Sequence, residues 1–256
     1  MKPVDLLFAA VLFSFSSTVV AVSEIRTAAQ EASDPKFVTI YKDGKQAVGG
    51  ICVDIMRAVE RVDPGLRFIG DQSWQPRARL EAGAIAGTID VICGSLRSKD
   101  RMAKFDFIET SLFSVDYVLA VRADDIVHVN NWEDVRRLGD NGVVLAIQGF
   151  GVVDLLHEIG GLKIDAGANS SKSNLDKLIA GRGRFYCHRA PGMMTEIRHW
   201  GQPEKVKVLP AVMMKENFYM ITSKKMAPSD AKRLGAAIAL LDKRGELAAM
   251  FEKYRD

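Results

Sequence analysis

The chain has 256 residues, room for one large domain or two small ones, each able to bury its own core. Hydrophobic residues make up 48% and charged residues 26%, the balance of a soluble globular protein. A net charge of +3, with basic residues dispersed among apolar ones, argues against a nucleic-acid-binding surface.

The first segment reads as an address. Lys2 precedes an apolar, serine-softened stretch at 6–21, and small residues at Ala21 and Ser23 fit a cleavage site just before Glu24. An uncleaved anchor is the competing reading, but the stretch is short and serine-rich for a membrane span. Residues 1–23 are therefore read as an export leader.

After the leader, strand and helix patterns alternate, which predicts an α/β architecture. Strands are expected at 25–29 and 66–69, with a hairpin at 37–48 turning at Asp43-Gly44. A helix at 53–62 follows from Val53, Met56, Val59 and Val62 at helical spacing, and a second is expected at 76–86. Residues 89–93 read as a strand ending at Gly94, and an apolar run occupies 117–123. Beyond it, helices are expected at 132–138, 152–159 and 175–180, and strands at 142–147, 185–187 and 217–223. Two closing helices within 231–254 break near Gly245.

Residues 87–113, GTIDVICGSLRSKDRMAKFDFIETSLF, carry the densest signal. A short apolar strand stops at a glycine and hands over to serines and a cation, Arg101. Such a turn aims backbone N–H groups and a guanidinium at the carboxyl end of a sheet, where α/β folds bind ligands. The plain alternative is that Arg101 is a surface cation paired with Asp100 or Asp106.

The stretch resembles the signature of family 3 extracellular solute-binding proteins, the polar amino-acid receptors of ABC importers. The family's closing pattern of helix, D-x-x-G-x-(L/I) and a final K-Y is matched by Asp242, Gly245, Leu247 and Lys253-Tyr254. The resemblance covers residues 24–256 and implies a two-lobed type II periplasmic binding fold with two crossover hinge strands. One lobe would comprise 24–121 plus 215–256, the other 122–214. It further implies a periplasmic, monomeric receptor for an amino acid or related small carboxylate, serving an ABC permease and using neither metal nor cofactor. Two other roles known on this fold stay open. One is a periplasmic dehydratase; the other is a free-standing sensory binding protein, the chain's end just after the last helix being weighed against the extracellular domain of a signalling kinase.

By the same resemblance, Arg101 clamps the ligand's carboxylate, with Ser98 at the family's serine or threonine position. Cys93, Gly94, Ser95 and Leu96 fall at ligand-lining positions, and Leu96 makes this wall more apolar than usual. Gln30 and Ser33 stand where an acid and an aromatic are customary. Trp74 lies where an aromatic often stacks on the ligand, though packing explains most tryptophans equally well. Opposite them, Gly149-Phe150-Gly151 precedes a helix whose free N–H groups suit an anion.

The largest departure is at residues 185–189, Phe-Tyr-Cys-His-Arg, where the family's ammonium-binding aspartate is replaced by Arg189 beside His188. Like charges repel, so a small anion held between Arg101 and Arg189 is one expectation. The other is that Arg189 faces solvent and Glu31 or Asp116 receives an ammonium. His188 is the single obvious proton donor should the protein be an enzyme. The cysteines match no metal-site spacing. Cys52 and Cys93 lie near one end of the first lobe, where a disulfide is conceivable, but buried free thiols are the expected state.

Overall fold

The computed structural model describes residues 22–31 and 33–254, so the leader read at 1–23 lies outside the described residues up to Ala21. The chain opens with β1 (Ser23–Arg26), β2 (Ala29–Gln30) and a hairpin of β3 (Val38–Lys42) and β4 (Lys45–Gly49). Asp43 and Gly44 both take positive φ, 51° and 74°, the backbone that a two-residue turn between twisted strands demands. Next come α1 (Ile51–Val62), β5 (Leu66–Ile69), β6 (Trp74–Gln75), α2 (Arg77–Ala86) and β7 (Val91–Leu96). A short helix α3 (Lys99–Lys104), a three-residue β8 (Phe105–Phe107) and the long β9 (Phe113–Arg122) complete this part.

On the other side of β9 stand α4 (Trp132–Arg137), β10 (Val144–Ile147), α5 (Gly151–Ile159), β11 (Ile164–Ala168) and α6 (Ser171–Ile179). They are followed by β12 (Phe185–Arg189), α7 (Ala190–Trp200) and β13 (Val206–Val208). The long β14 (Met214–Ser223) then returns to the first side, where α8 (Pro228–Lys243) and α9 (Glu246–Glu252) close the chain.

The largest sheet runs β11-β10-β12-β9-β14-β7, with β13 on β9 and β8 on β14. Its middle is the antiparallel pair β9–β14, joined from Tyr117 opposite Met214 to Phe113 opposite Phe218. Beyond that overlap β9 pairs with β12, and β14 pairs with β7. The burial of these two strands follows their route. From Phe113 to Tyr117 buried residues alternate with partly exposed ones, and from Tyr117 to Val121 every residue is buried. β14 alternates as far as Tyr219 and is buried throughout from Met220 to Ser223. A strand covered on one face alternates, and one covered on both does not. So each crossover strand is half-covered where it passes between the lobes and fully covered inside the lobe it enters.

Several elements differ from the sequence expectation, among them α3, α7 and β11. The turn after Gly94 contains α3, because Ser98 caps it by accepting from the Arg101 amide. α7 was hidden by Pro191-Gly192, which look like a turn; proline, however, is well tolerated at the start of a helix. β11, partly exposed along most of its length, showed no apolar run.

The expectation of free thiols is corrected for two cysteines. Cys52, in the first turn of α1, is bonded to Cys93 in the middle of β7, and Cys187 stays buried and free. The helix α1 buries Ile51, Ile55, Met56 and Val59 on one face, which turns Cys52 inward toward β7. Its first free N–H groups hold the preceding loop: Ile51 donates to Pro35 O at 3.1 Å and Cys52 to Lys36 O at 3.0 Å. The bridge closes a loop with a sequence separation of 41. Replacing both cysteines by alanine is expected to lower the unfolding free energy by about 2–4 kcal/mol, read from urea denaturation.

Candidate functional site

Between the lobes lies a small cavity of about 20 Å³, little more than one ordered water needs. Its walls come from the Lys36 loop, the first residue of α2, the end of β7, α3, the Gly149–Gly151 turn and the end of β12. Four cationic side chains reach it, each nearly withdrawn from solvent: Lys36 (4% exposed), Arg77 (9%), Arg101 (5%) and Arg189 (4%).

Arg101 lies inside α3, and its Nε donates to Glu81 Oε1 at 3.1 Å while Nη2 reaches Gly149 O at 3.4 Å across the cleft. Gly151 permits this approach. A Cβ there would stand 1.9 Å from Arg101 Nη1. Arg77 opens α2 one turn before Glu81 and donates to the same carboxylate oxygen at 2.7 Å; its other nitrogens reach Gln30 Oε1 and Ser95 Oγ. Lys36 Nζ donates to Gln30 Oε1 at 2.7 Å and to Gly94 O at 3.0 Å. Gly94 has φ 72°, and a Cβ on it would meet Lys36 Cδ at 2.5 Å, so glycine is required twice over. Arg189, at the end of β12, donates to Asp34 O at 3.2 Å, has a buried Nε without a protein partner, and lies 5.8 Å over the Phe150 ring.

Electrostatics in this space are one-sided. Burial pushes the Lys36 ammonium well below its usual pKa, and Arg189, Arg77 and Arg101 push it further, against Glu81. Burial and the neighbouring Arg101 bring Arg77 down to about 10. Burial alone would raise Glu81, but Arg77 and Arg101 outweigh it and hold the carboxyl below the ordinary range.

The structure distributes the residues singled out from sequence unevenly. Gln30, Gly94, Ser95, Leu96, Arg101, the Gly149–Gly151 turn and Arg189 meet around the cavity. Ser98 stands at the lobe junction, donating to Asp154 Oδ2 of α5 at 3.2 Å. Ser33 turns back on the chain, giving its hydroxyl to Gln30 O. Trp74 is not on the cavity wall; it pairs with Ala29 in a two-stranded sheet and packs on the core. Nor is Cys93, whose sulfur is bonded to Cys52. His188 shares a face of β12 with Tyr186, their rings 5.6 Å apart, while Arg189 takes the alternate face toward the cavity. Glu31 is exposed, and Asp116 lines a separate groove with Lys215.

Lys36, Arg77 and Glu81 escaped the sequence reading. Arg77 and Glu81 look like an ordinary i,i+4 surface pair. A lysine after a proline in a polar loop carries no local signal. Only the tertiary arrangement makes them a site.

No protein-family model matches the chain, and no curated protein matches it. Solved structures do. The substrate-binding protein of an amino acid ABC transporter is 17% identical, with a TM-score of 0.68 over 91% of this chain and 99% of that one. A histidine kinase sensor domain similar to periplasmic binding proteins is 19% identical, with a TM-score of 0.71 over 91% and 96%. The ancestral amino acid-binding protein AncCDT-1, a precursor of cyclohexadienyl dehydratase, is 16% identical, with a TM-score of 0.65 over 91% and 96%. The fold is thus the two-lobed type II periplasmic binding fold, shared by proteins of several roles.

Burial, then Arg189, push His188 down to about 3, so it is neutral in the folded protein at neutral pH. With the folded value below the unfolded one, the unfolded chain binds the extra proton and stability falls as pH drops from about 6.5 toward 3. A His188→Phe variant is therefore expected to lose less of its melting temperature between pH 7 and pH 4 than the wild type, as followed by circular dichroism.

Proposed function

We propose that this protein is a periplasmic solute-binding receptor of the family 3 type, exported by residues 1–23, which closes its lobes around a small carboxylate-bearing solute. The observation that carries this reading is Arg101. Its guanidinium is buried between the lobes, rooted in Glu81 on one side and touching Gly149 O on the other. A cation so placed gives a ligand carboxylate charged hydrogen bonds from the first lobe, while the Gly149–Gly151 turn presents the second. We take the lobes as 24–121 plus 215–256 and 122–214, with β9 and β14 as the hinge that lets them close. A monomer delivering its solute to an ABC permease is the role this architecture suits.

The dehydratase reading fits less well. It needs a proton donor on the cleft wall. Glu81 is held in its ionised form by two arginines, and His188 lies on the far face of its strand. Incubation with prephenate, followed by ultraviolet absorbance, is expected to show no turnover. Turnover would replace the receptor reading with an enzymatic one.

The receptor reading is tested by titration calorimetry with succinate, L-glutamine, L-arginine and inorganic phosphate. At least one is expected to bind the wild type, with a fall in radius of gyration by small-angle scattering as the lobes close. Arg101→Ala is expected to weaken that binding by at least about tenfold, the worth of one charged hydrogen bond. Unchanged affinity in this variant would locate the ligand elsewhere.

A further inference from the structure

The four cations at the cleft are held, but they are not neutralised. Lys36 gives its hydrogens to two neutral oxygens, Gln30 Oε1 and Gly94 O. Arg189 gives one to the Asp34 carbonyl and has a buried Nε with no partner. Arg77 and Arg101 reach a carboxylate, but it is the same oxygen of the same residue, Glu81. Half-buried Asp34 feels the Arg189 charge without forming an ion pair, and Asp154 accepts from Ser98 at the junction of the lobes. Four positive groups thus face one carboxylate in ion-pair contact. Cations withdrawn from water and facing only dipoles are strongly unfavourable until an anion joins them.

The same geometry argues against a zwitterion. An α-ammonium group needs a carboxylate or several free acceptors, and the cavity that would receive it is lined by Lys36, Arg77, Arg101 and Arg189. Among the acceptors at the cavity, Gln30 Oε1 and Gly94 O already serve Lys36, and Ser95 Oγ and Gly149 O already accept from Arg77 and Arg101. We propose that the cleft takes a small dianion, an acid with two carboxylates or a tetrahedral oxyanion, and that Lys36 makes the second negative charge a requirement. This deepens the receptor reading and rests on it.

Small size follows from the cavity of about 20 Å³ and from the Phe150 and Phe218 rings beside Arg189 and Lys36. A ligand of a few heavy atoms enters by prising Arg101 from Gly149 O, then gives that guanidinium a charged partner in exchange. Lys36 and Arg77 both donate to Gln30 Oε1, and Arg77 and Arg101 share Glu81 Oε1, so these three cations form one linked cluster that Arg189 faces from the end of β12. The loop carrying Lys36 is held on the N-terminus of α1 through Pro35 O and Lys36 O, so Lys36 belongs to a rigid frame.

The test is calorimetry on the full chain with malonate, succinate, phosphate and sulfate as dianions, butyrate as a monoanion, and L-glutamine and L-arginine as ammonium-bearing ligands. At least one dianion is expected to bind at least about tenfold more tightly than butyrate and than either amino acid. The carboxylate and oxyanion arms decide which source of the charge is used. Lys36→Met, close in shape and without the buried charge, is expected to fold with a melting temperature no lower than the wild type. In it the preference of succinate over butyrate, or of phosphate if that is the ligand, should fall to about one. Tighter binding of L-glutamine or L-arginine than of any dianion overturns the dianion and leaves the receptor standing. Full selectivity in Lys36→Met overturns the role of that residue. No binding by the wild type to any of the seven probes removes both readings.

Discussion

A single carboxylate oxygen, Glu81 Oε1, holds the cleft together. It accepts from Arg77 at 2.7 Å and Arg101 at 3.1 Å, two guanidiniums that would otherwise repel one another in a space with little water. Glu81 is placed by α2, which buries Leu80 and Ala84 beneath it, so the core of the first lobe decides where the anchor stands. Arg77, one turn earlier, comes to the same oxygen by helical spacing alone. Arg101 arrives from α3, whose Ser98 cap is also a junction to the second lobe through Asp154. Helix geometry, capping and charge therefore meet at one atom. The surplus of positive charge that remains is what gives the site its chemical character.

Around that atom the frame is stiff on one side and jointed on the other. The Cys52–Cys93 bond ties α1 to the middle of β7, and the α1 N-terminus grips the loop that carries Lys36. Three cationic positions are thus built on one lobe. The fourth, Arg189, stands on β12, attached to the first lobe through the crossover pair β9–β14 and its contact with Asp34. This is the division that a closing receptor needs. In the receptor proposed above, one lobe would present a preformed set of donors and the other a wall that closes on it.

Much of this was visible in the residues. The Asp43-Gly44 turn, the apolar period of α1, the strand stopping at Gly94 and the break at Gly245 are local signals, and local chemistry decides them. Arg101 stood out because a glycine, serines and a cation followed a strand in one short span. Arg189 stood out by contrast with the acid expected there. Other features had no such signal. Lys36, Arg77 and Glu81 are remote from Arg101 in sequence and unremarkable in their own surroundings. The disulfide depends on α1 turning Cys52 toward β7, which no spacing of 41 residues reveals. Trp74 and Cys93 were expected on the ligand-facing wall by position along a motif; Trp74 packs on the core and Cys93 is bonded to Cys52, and neither lines the cavity.

Gly151 has a consequence of its own. It lies in the second lobe, and the absence of a side chain there lets Arg101 of the first lobe approach to where a Cβ would stand 1.9 Å from its nitrogen. The distance between the two halves at their nearest is then set by one missing methyl group. Interiors packed like crystals do not absorb such an addition quietly. A side chain at this point would act as a wedge driven against Arg101 itself, propping the jaws apart and displacing the guanidinium in one stroke.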